Sequence, residues 1–274
     1  MTRIAHLSDL HFGRHDPVLV EGLIARLLVL RPDLVAVSGD FTQRARRAEF
    51  TAARALLDRL TEAGIAWLAV PGNHDVPLYD LTRRMFAPLG RYRRFIADEV
   101  CPRWAGAGAV VQGLNSARRM TGKNGRVSQE QSDLVAKSFV DVSPELLRVV
   151  VTHHPLVALP WGPGGEVLKP AERADEAMAG LEAAGVHLLL AGHHHRIHAG
   201  ESPATQADTR SLLVVQAGTA TSTRTRDEPN SFNLIEAALP TVTVAVEAWD
   251  GTAFAEVQRE QFWLREQAWQ SGCL

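Results

Sequence analysis

Short apolar segments alternate with segments of helical periodicity along most of the chain, and most of the apolar segments end in a few polar residues. This alternation is typical of an α/β fold, in which helices connect strands and pack on the sheet. Strands are predicted at 3–8, 34–37, 65–70, 110–114, 148–152 and 186–191. Helices are predicted at 16–31, 45–63, 128–139 and 170–185, with a further helix containing 83–95. The Pro- and Gly-rich segment 153–169 is expected to be an ordered loop close to a functional site.

Beyond about residue 205 the pattern changes to short β-rich stretches. These are 211–216, 231–237, 241–249 and part of 254–263. There is no internal repeat and no convincing linker, and 274 residues are enough to bury a substantial core. We therefore predict one domain over 1–274, whose tail forms part of a second sheet packed against the first.

The charge of the chain gives information about its partners. Its formal net charge is -2, so no global positive field attracts nucleic acid polymers, and none is expected as a partner. Arginines do cluster locally, at 44, 46 and 47 and again at 83, 84, 91, 93 and 94. Such clusters can attract an anionic substrate, although solvated helix faces explain most of them.

Cysteine content and hydropathy indicate a compartment. Cys101 and Cys273 are the two cysteines, and they are too far apart in sequence for a thiolate metal motif or a disulfide framework. No apolar stretch approaches membrane-spanning length, and the first residues enter a strand-like segment at once. A cytoplasmic location is the resulting expectation.

Five groups of polar residues follow five of the apolar segments. They are Ser8-Asp9-Leu10-His11, Gly39-Asp40, Gly72-Asn73-His74-Asp75, His153-His154-Pro155 and Gly192-His193-His194-His195. Loops at the carboxyl ends of strands in an open α/β sheet converge on one crevice, so these groups can meet there. One such group is weak support for a metal site, but five after five strands indicate one. Oxygen and imidazole ligands without thiolates favour manganese, iron, zinc or cobalt, and Asp40 is the natural bridge between two ions.

These motifs, in this order, resemble the calcineurin-like metallophosphoesterase superfamily over about residues 3–220. The resemblance implies a four-layer α-β-β-α sandwich, with two mixed sheets flanked by helices. It also implies two divalent metal ions (manganese, iron or zinc, or a mixed iron and manganese pair). One metal would be bound by Asp9, His11, Asp40 and His195. The other would be bound by Asp40, Asn73, His153 and His193.

The resemblance further implies in-line attack on phosphorus by a hydroxide that bridges the metals. His74 inherits the role of acid or electrostatic stabiliser at the leaving oxygen, and Asp75 is a candidate to orient it. His154, His194 and Arg44 are candidate substrate contacts, with support of the neighbouring ligands or simple exposure as the alternative for the two histidines. Arg224 is a further candidate for phosphate or ribose. Candidates for an aromatic wall are Phe12, Phe41, Tyr79 and Trp161, and core packing is the simpler interpretation of each.

Loop sequences favour one branch of the superfamily. The segment 39–44, Gly-Asp-Phe-Thr-Gln-Arg, and the Gly-Asn-His-Asp motif depart from the protein serine/threonine phosphatases. The compact length, Gly-Asn-His-Asp and Gly-His-x-His are most similar to the bacterial class III cyclic nucleotide phosphodiesterases and their glycerophosphodiesterase relatives. Two divalent cations, two carboxylates and one hydroxide leave a net charge near that of one cation, which suits a phosphodiester monoanion.

The substrate hypotheses stay open in a stated order. A small phosphodiester is expected, with cyclic AMP first. A glycerophosphodiester, or broad phosphodiesterase and phosphatase activity, is the alternative. A non-enzymatic interaction scaffold is the hypothesis of a different class. The tail, with Trp249, Trp263 and Trp269, either packs internally or forms the face of a homodimer.

Overall fold

The computed structural model describes residues 1–121, 123–161, 166–202, 210–225 and 228–272. Its helices are α1 (Pro17–Leu30), α2 (Arg47–Glu62), α3 (Leu81–Phe86), α4 (Gly90–Phe95), α5 (Gln129–Phe139) and α6 (Ala174–Ala183). Its first strands are β1 (Thr2–Leu7), β2 (Leu34–Val37), β3 (Trp67–Ala69), β4 (Arg103–Ala105), β5 (Ala109–Leu114), β6 (Leu147–Thr152), β7 (Leu159–Trp161) and β8 (Glu166–Leu168). The remaining strands are β9 (Leu188–Ala191), β10 (His198–Ser202), β11 (Leu212–Gln216), β12 (Ser231–Ala238), β13 (Thr241–Trp249), β14 (Phe254–Arg265) and β15 (Ala268–Gly272).

Two mixed sheets form the centre of the molecule. The strand order is β15-β14-β13-β12-β1-β2-β3 in the first sheet and β10-β11-β9-β6-β5-β4 in the second. In the first sheet β1 is parallel to β2 and antiparallel to β12. In the second, β6 lies parallel to β5 and to β9, while the outer strands β4 and β10 are antiparallel to their neighbours. The predicted fold class, two mixed sheets flanked by helices, is confirmed.

Alternation along the central strands explains the layers. Ile4 and Ala36 face the second sheet and pack in one cluster with Val151. The neighbouring residues Ala5 and Val37 face the opposite way, into a cluster with α1 and α2. Successive side chains of a strand point to opposite faces, so strands that are apolar on both faces must be covered on both. Helices α5 and α6 cover the outer face of the second sheet.

The β-rich tail is divided between the two sheets, whereas the sequence predicted that it forms part of the second. Strand β11 joins the second sheet, and β12 to β15 extend the first sheet from β1. The register places Ile4 opposite Ile235, and both side chains are buried between the sheets. Pairing with β12 therefore covers the exposed edge that β1 would otherwise present.

Three local differences from the predicted elements have physical causes. The predicted helix around 83–95 is two helices, α3 and α4, because Pro88 lies between them and lacks a backbone N–H. Arg173, just before α6, has a left-handed φ of 62°, so this helix begins later than predicted. Strands β7 and β8 pair antiparallel within the predicted loop 153–169. None of the described helices is both long and apolar enough to cross a membrane.

An ion pair joins α1 to β13. Glu247 is fully buried, and its carboxylate accepts hydrogen bonds from Arg26 Nε at 2.8 Å and Arg26 Nη2 at 3.0 Å. We expect Arg26→Met to lower the free energy of unfolding by about 3 kcal/mol, because it leaves a buried carboxylate without its partner. Urea unfolding measures the loss. The double variant Arg26→Met/Glu247→Leu is expected to recover most of it, and a double variant as unstable as the single one would contradict this account.

His6 in β1 is a buried histidine that is neutral in the folded protein. Its Nε2 lies 2.9 Å from Ser38 Oγ. Burial lowers its pKa to about 3, and the charge of Asp9 opposes the shift only weakly. An unfolded histidine titrates near about 6.5, so His6 stabilises the fold fully above that pH, and its contribution is lost as the pH falls towards 3.

Replacement of His6 should therefore change how stability depends on pH. We expect the free energy of unfolding of wild type to fall by about 2 kcal/mol more than that of His6→Gln between about pH 7 and 5. Urea unfolding of both proteins, stripped of metal with a chelator, measures the difference. Parallel pH dependences of the two proteins would show that His6 is not the responsible group.

Candidate metal centre

The candidate ligands lie at the carboxyl ends of strands from both sheets. Asp9 and His11 follow β1, Asp40 follows β2, and Asn73 begins a short 3-10 turn after β3. His153 directly follows β6, and His193 and His195 follow β9. Strands β1, β2 and β3 belong to the first sheet and β6 and β9 to the second, so the candidate centre lies where the ends of the two sheets meet.

Five of these seven residues have left-handed backbone conformations. The φ values are 53° at Asp9, 47° at His11, 53° at Asp40, 74° at His193 and 55° at His195. Residues other than glycine rarely adopt this region, and holding them there costs free energy. Such strain concentrates at functional sites, where the surrounding structure fixes the direction of each side chain.

The first group of donor atoms contains Asp9, His11, His195 and Asp40. His195 Nε2 lies 3.1 Å from Asp9 Oδ1 and 3.1 Å from His11 Nε2. His11 Nε2 is 3.5 Å from Asp9 Oδ1 and 3.8 Å from Asp40 Oδ2. Four donor atoms from three separate loops therefore converge on one small volume.

The second group shares one atom with the first. His153 Nε2 lies 3.4 Å from Asp40 Oδ2, 3.1 Å from Asn73 Oδ1 and 3.3 Å from His193 Nδ1. Asp40 Oδ2 thus belongs to both groups, which is the position of a carboxylate that bridges two cations. The structure brings all seven predicted ligands together, divided as the resemblance implied.

The donor atoms have the chemistry that two divalent cations require. His153 Nδ1 donates to the carbonyl of Ser38 at 2.7 Å, and His195 Nδ1 donates to the carbonyl of Arg224 at 3.0 Å. In neutral imidazoles this leaves the Nε2 lone pairs directed into the cluster. The buried Asp9 Oδ1 accepts no hydrogen bond from any described residue. Converging acceptors without donors fit cations, and nitrogen and oxygen ligands fit manganese, iron or zinc.

Both carboxylates are ionised in this environment. Burial by itself would raise the pKa of Asp40, but the charge and hydrogen bond of His153 hold that pKa well below its usual range. The pKa of Asp9 is lowered in the same way, against burial, chiefly by His195 and His11. Ionised carboxylates within a ring of imidazoles are prepared to bind cations.

His74 lies beside the bridging carboxylate. Its backbone N–H donates to Asp40 Oδ1 at 2.8 Å, and its ring lies edge-on to that of His11 with the centroids 4.8 Å apart. His74 Nδ1 donates to the carbonyl of Gln43 at 2.8 Å, so Gln43 sets the orientation of the ring. Sequence reasoning missed Gln43 in this role, and its place three residues after Asp40 was the available signal.

The Asp75 carboxylate holds two ligand loops together. It accepts from the backbone N–H groups of Phe41 (3.2 Å), Thr42 (3.0 Å) and Gly72 (3.0 Å), and from the Thr42 hydroxyl (3.0 Å). Burial, and then the charge of Asp40, raise the pKa of Asp75 to about 7, while these donors act in the opposite direction. Its contacts are with the loops that carry Asp40 and Asn73, whereas the sequence suggested that it orients His74.

A cavity of about 560 Å³ opens over the two donor groups. His154 lines it and is held by Ser116, whose Oγ is 2.8 Å from His154 Nδ1. His194 and Arg224 also line it, together with Lys123 and Lys169, two cations that sequence reasoning missed. Arg44 lines a neighbouring cavity rather than this one.

The candidate aromatic walls have different positions. Phe12 and Phe41 are buried in the core, as the simpler interpretation expected. Tyr79 is 74% exposed and lines the neighbouring cavity. The side chain of Trp161 lies outside the part of the chain that the structure describes.

Comparison with known proteins agrees with this geometry. The family model of the calcineurin-like phosphoesterases matches residues 2–196. No curated protein matches the chain. Among solved structures, a dimetal phosphatase from Danio rerio superposes with a TM-score of 0.64 at 12% identity, covering 95% of this chain and 98% of that one. GAP50, the anchor in the inner membrane complex of Plasmodium, gives a TM-score of 0.62 at 12% identity, with 97% and 90% covered.

A larger enzyme contains the same fold. The purple acid phosphatase PPD1 from yellow lupin gives a TM-score of 0.68 at 12% identity over 93% of this chain. The chain spans about half the length of that protein, 52%. At these identities the solved structures establish the fold alone, whereas the family model covers most of the sequence. The chain therefore belongs to the calcineurin-like phosphoesterase family, whose fold indicates a hydrolase of phosphate esters with a dinuclear metal site.

Proposed function

We propose that this protein is a phosphodiesterase that hydrolyses small phosphate diesters, with cyclic AMP as the favoured substrate. The observation that carries the proposal is the convergence of seven donor residues into two groups that share Asp40 Oδ2. Asp9, His11 and His195 would complete the site of one ion. Asn73, His153 and His193 would complete the site of the other.

The metal pair, when bound, supplies Lewis acidity to the phosphate and lowers the pKa of water. Hydrolysis adds water to phosphorus and breaks the bond to one ester oxygen, which leaves as an alcohol. The protein must supply the proton for that oxygen. His74 is placed to do so, because Nδ1 is occupied by the Gln43 carbonyl and Nε2 is the nitrogen that can hold and release a proton.

The walls of the cavity support an anionic substrate larger than phosphate. Lys123, Lys169 and Arg224 surround the opening and are not among the candidate ligands. Arg224 Nη1 also lies 3.4 Å from the side-chain oxygen of Gln43, which connects this cation to the residue that orients His74. Leu168 and Pro155 add apolar wall for the part of the ester beyond the phosphate. The choice of a diester and of cyclic AMP rests on the loop motifs.

A glycerophosphodiesterase, or an enzyme with broad phosphodiesterase and phosphatase activity, would use the same site. GAP50 is an anchor of similar fold, and for that reason a non-enzymatic scaffold is included among the outcomes tested. A cytoplasmic location and a homodimer formed by the tail belong to the proposal as well. Trp269 of that tail is buried within the chain, so a dimer face would have to use other residues.

The test is a panel of initial hydrolysis rates with manganese-loaded protein. Its substrates are cyclic AMP, glycerophosphodiesters, bis(p-nitrophenyl) phosphate and p-nitrophenyl phosphate. Turnover of cyclic AMP well above the other esters supports the proposal. Turnover of the aryl diester alone keeps the chemistry and rejects that substrate, and faster turnover of the aryl monoester indicates a phosphomonoesterase. No metal-dependent turnover of any ester leaves the scaffold hypothesis.

A further inference from the structure

An exposed apolar surface lies beside the candidate metal centre. It consists of Leu78, Tyr79, Leu81, Met85, Phe86 and Met120, and we call it the apolar surface. These are six of the twelve exposed large hydrophobic side chains among the described residues, with Phe86 87% and Leu81 68% exposed. Helix α3, which provides three of them, buries none of its residues. Arg119 donates to the carbonyl of Met85 at 2.7 Å and so places the neighbouring Met120 at this surface.

The surroundings of the apolar surface are basic, although the whole chain has a formal net charge of -2. The segment 76–97 contains five arginines and one acidic residue, Asp80. Asp80 is paired with one of them, Arg83, at 3.3 Å. Lys123 and Arg44 add positive charge on the side towards the metal centre, and the Arg44 guanidinium lies 5.6 Å from the centre of the Tyr79 ring.

A cavity connects the apolar surface to the catalytic residues. It has a volume of about 280 Å³. Leu78, Tyr79 and Arg84 line its outer part, and Asn73 and His74 line its inner part. A ligand held at the apolar surface can therefore extend to the candidate metal centre without leaving the protein surface.

The chemistry of this region favours one kind of occupant. A second copy of the chain would bring two strongly basic regions together, which like-charge repulsion opposes. Single-stranded nucleic acid would use the two aromatic rings for stacking, but Leu81, Met85 and Met120 offer no stacking surface. An anionic lipid layer matches both properties, since apolar side chains insert between the lipids while arginines and lysines contact the headgroups.

We propose that the apolar surface binds anionic lipid layers and places the metal centre against them. The site would then act on phosphodiesters presented at the lipid–water interface. The binding stands on the surface residues alone, whereas the action on interfacial esters rests on the proposed function.

Vesicle co-sedimentation of the whole protein tests the binding. The vesicles are phosphatidylcholine, alone or with one third replaced by phosphatidylglycerol. Wild type is expected to bind the anionic vesicles at least tenfold more tightly than the neutral ones. Leu81→Glu/Phe86→Glu is expected to lose at least tenfold of that affinity. The matched control, Val29→Glu/Val257→Glu, changes two exposed apolar residues outside this surface, and it should bind like wild type.

Four results would overturn the binding proposal. They are equal binding of wild type to both kinds of vesicle, an equal loss in the control variant, a dimer in solution that Leu81→Glu/Phe86→Glu dissociates, and binding of a single-stranded oligonucleotide without binding of vesicles. The second would show that net charge alone is responsible, and the last two would assign the surface to another partner.

Hydrolysis rates separate this proposal from the proposed function. With manganese, wild type should cleave phosphatidylglycerol in the vesicles, and Leu81→Glu/Phe86→Glu should reduce that rate at least tenfold while its rate on soluble bis(p-nitrophenyl) phosphate stays unchanged. Hydrolysis of the soluble diester without any cleavage in vesicles would overturn the interfacial action. Vesicle binding by a protein that hydrolyses no ester would reject the proposed function and leave the binding intact.

Discussion

Asp40→Ala is expected to lower metal-dependent ester hydrolysis about a thousandfold, equivalent to about 4 kcal/mol of transition-state stabilisation. The reason is that Asp40 Oδ2 is the one atom common to both donor groups, at 3.8 Å from His11 Nε2 and 3.4 Å from His153 Nε2. Its second oxygen accepts the backbone N–H of His74 at 2.8 Å. Removing the carboxylate therefore removes the bridge and one of the contacts that position the proposed acid.

Metal content separates these two consequences. After dialysis against manganese, wild type is expected to retain two ions per chain by the proposed ligand division, and Asp40→Ala at most one. Asp58→Ala is the matched control, because that aspartate lies in an exposed pair with Arg54 on α2 and should change neither rate nor metal content. An Asp40→Ala protein with undiminished rate and metal content would show that the bridge is absent.

The central strands could be predicted from sequence because both of their faces are apolar. The segment 34–37 coincides with β2, and the polar residue that follows each such strand is then placed at the edge of a sheet. The partners of the later strands could not be predicted in this way. Antiparallel pairing of β12 with β1 joins residues more than two hundred positions apart, and local periodicity carries no information on such pairing.

The candidate site divides in the same manner. Residue type and order were enough to select the seven donors that the structure brings together. The left-handed backbone at Asp9 and Asp40 was not predictable, because tertiary contacts impose it on residues that do not favour it. Gln43 was missed because it holds His74 through its main-chain carbonyl, and any residue type could supply that group. Metal binding and the roles of individual residues stay predictions.

Asp75→Asn is expected to lower the free energy of unfolding by about 3–5 kcal/mol, although it changes one oxygen to nitrogen. Oδ1 of this buried carboxylate accepts the Thr42 N–H and hydroxyl, and Oδ2 accepts the N–H groups of Phe41 and Gly72. An amide nitrogen in either position would face a backbone N–H that then has no acceptor. A buried donor without a partner costs its full desolvation free energy.

Urea unfolding of metal-free protein measures the loss of stability, and manganese titration measures its effect on the site. Because Asp75 connects the loops of Asp40 and Asn73, which lie in different candidate ligand positions, Asp75→Asn should also weaken manganese binding. Asp98→Asn is the matched control, since the Asp98 carboxylate is exposed in its pair with Arg93 and should leave both measurements unchanged. If Asp75→Asn retained the stability of wild type but lost hydrolysis, Asp75 would act in the chemistry itself rather than through the two loops. Loss of stability and of manganese affinity together would show that the geometry of the metal centre depends on this one buried carboxylate.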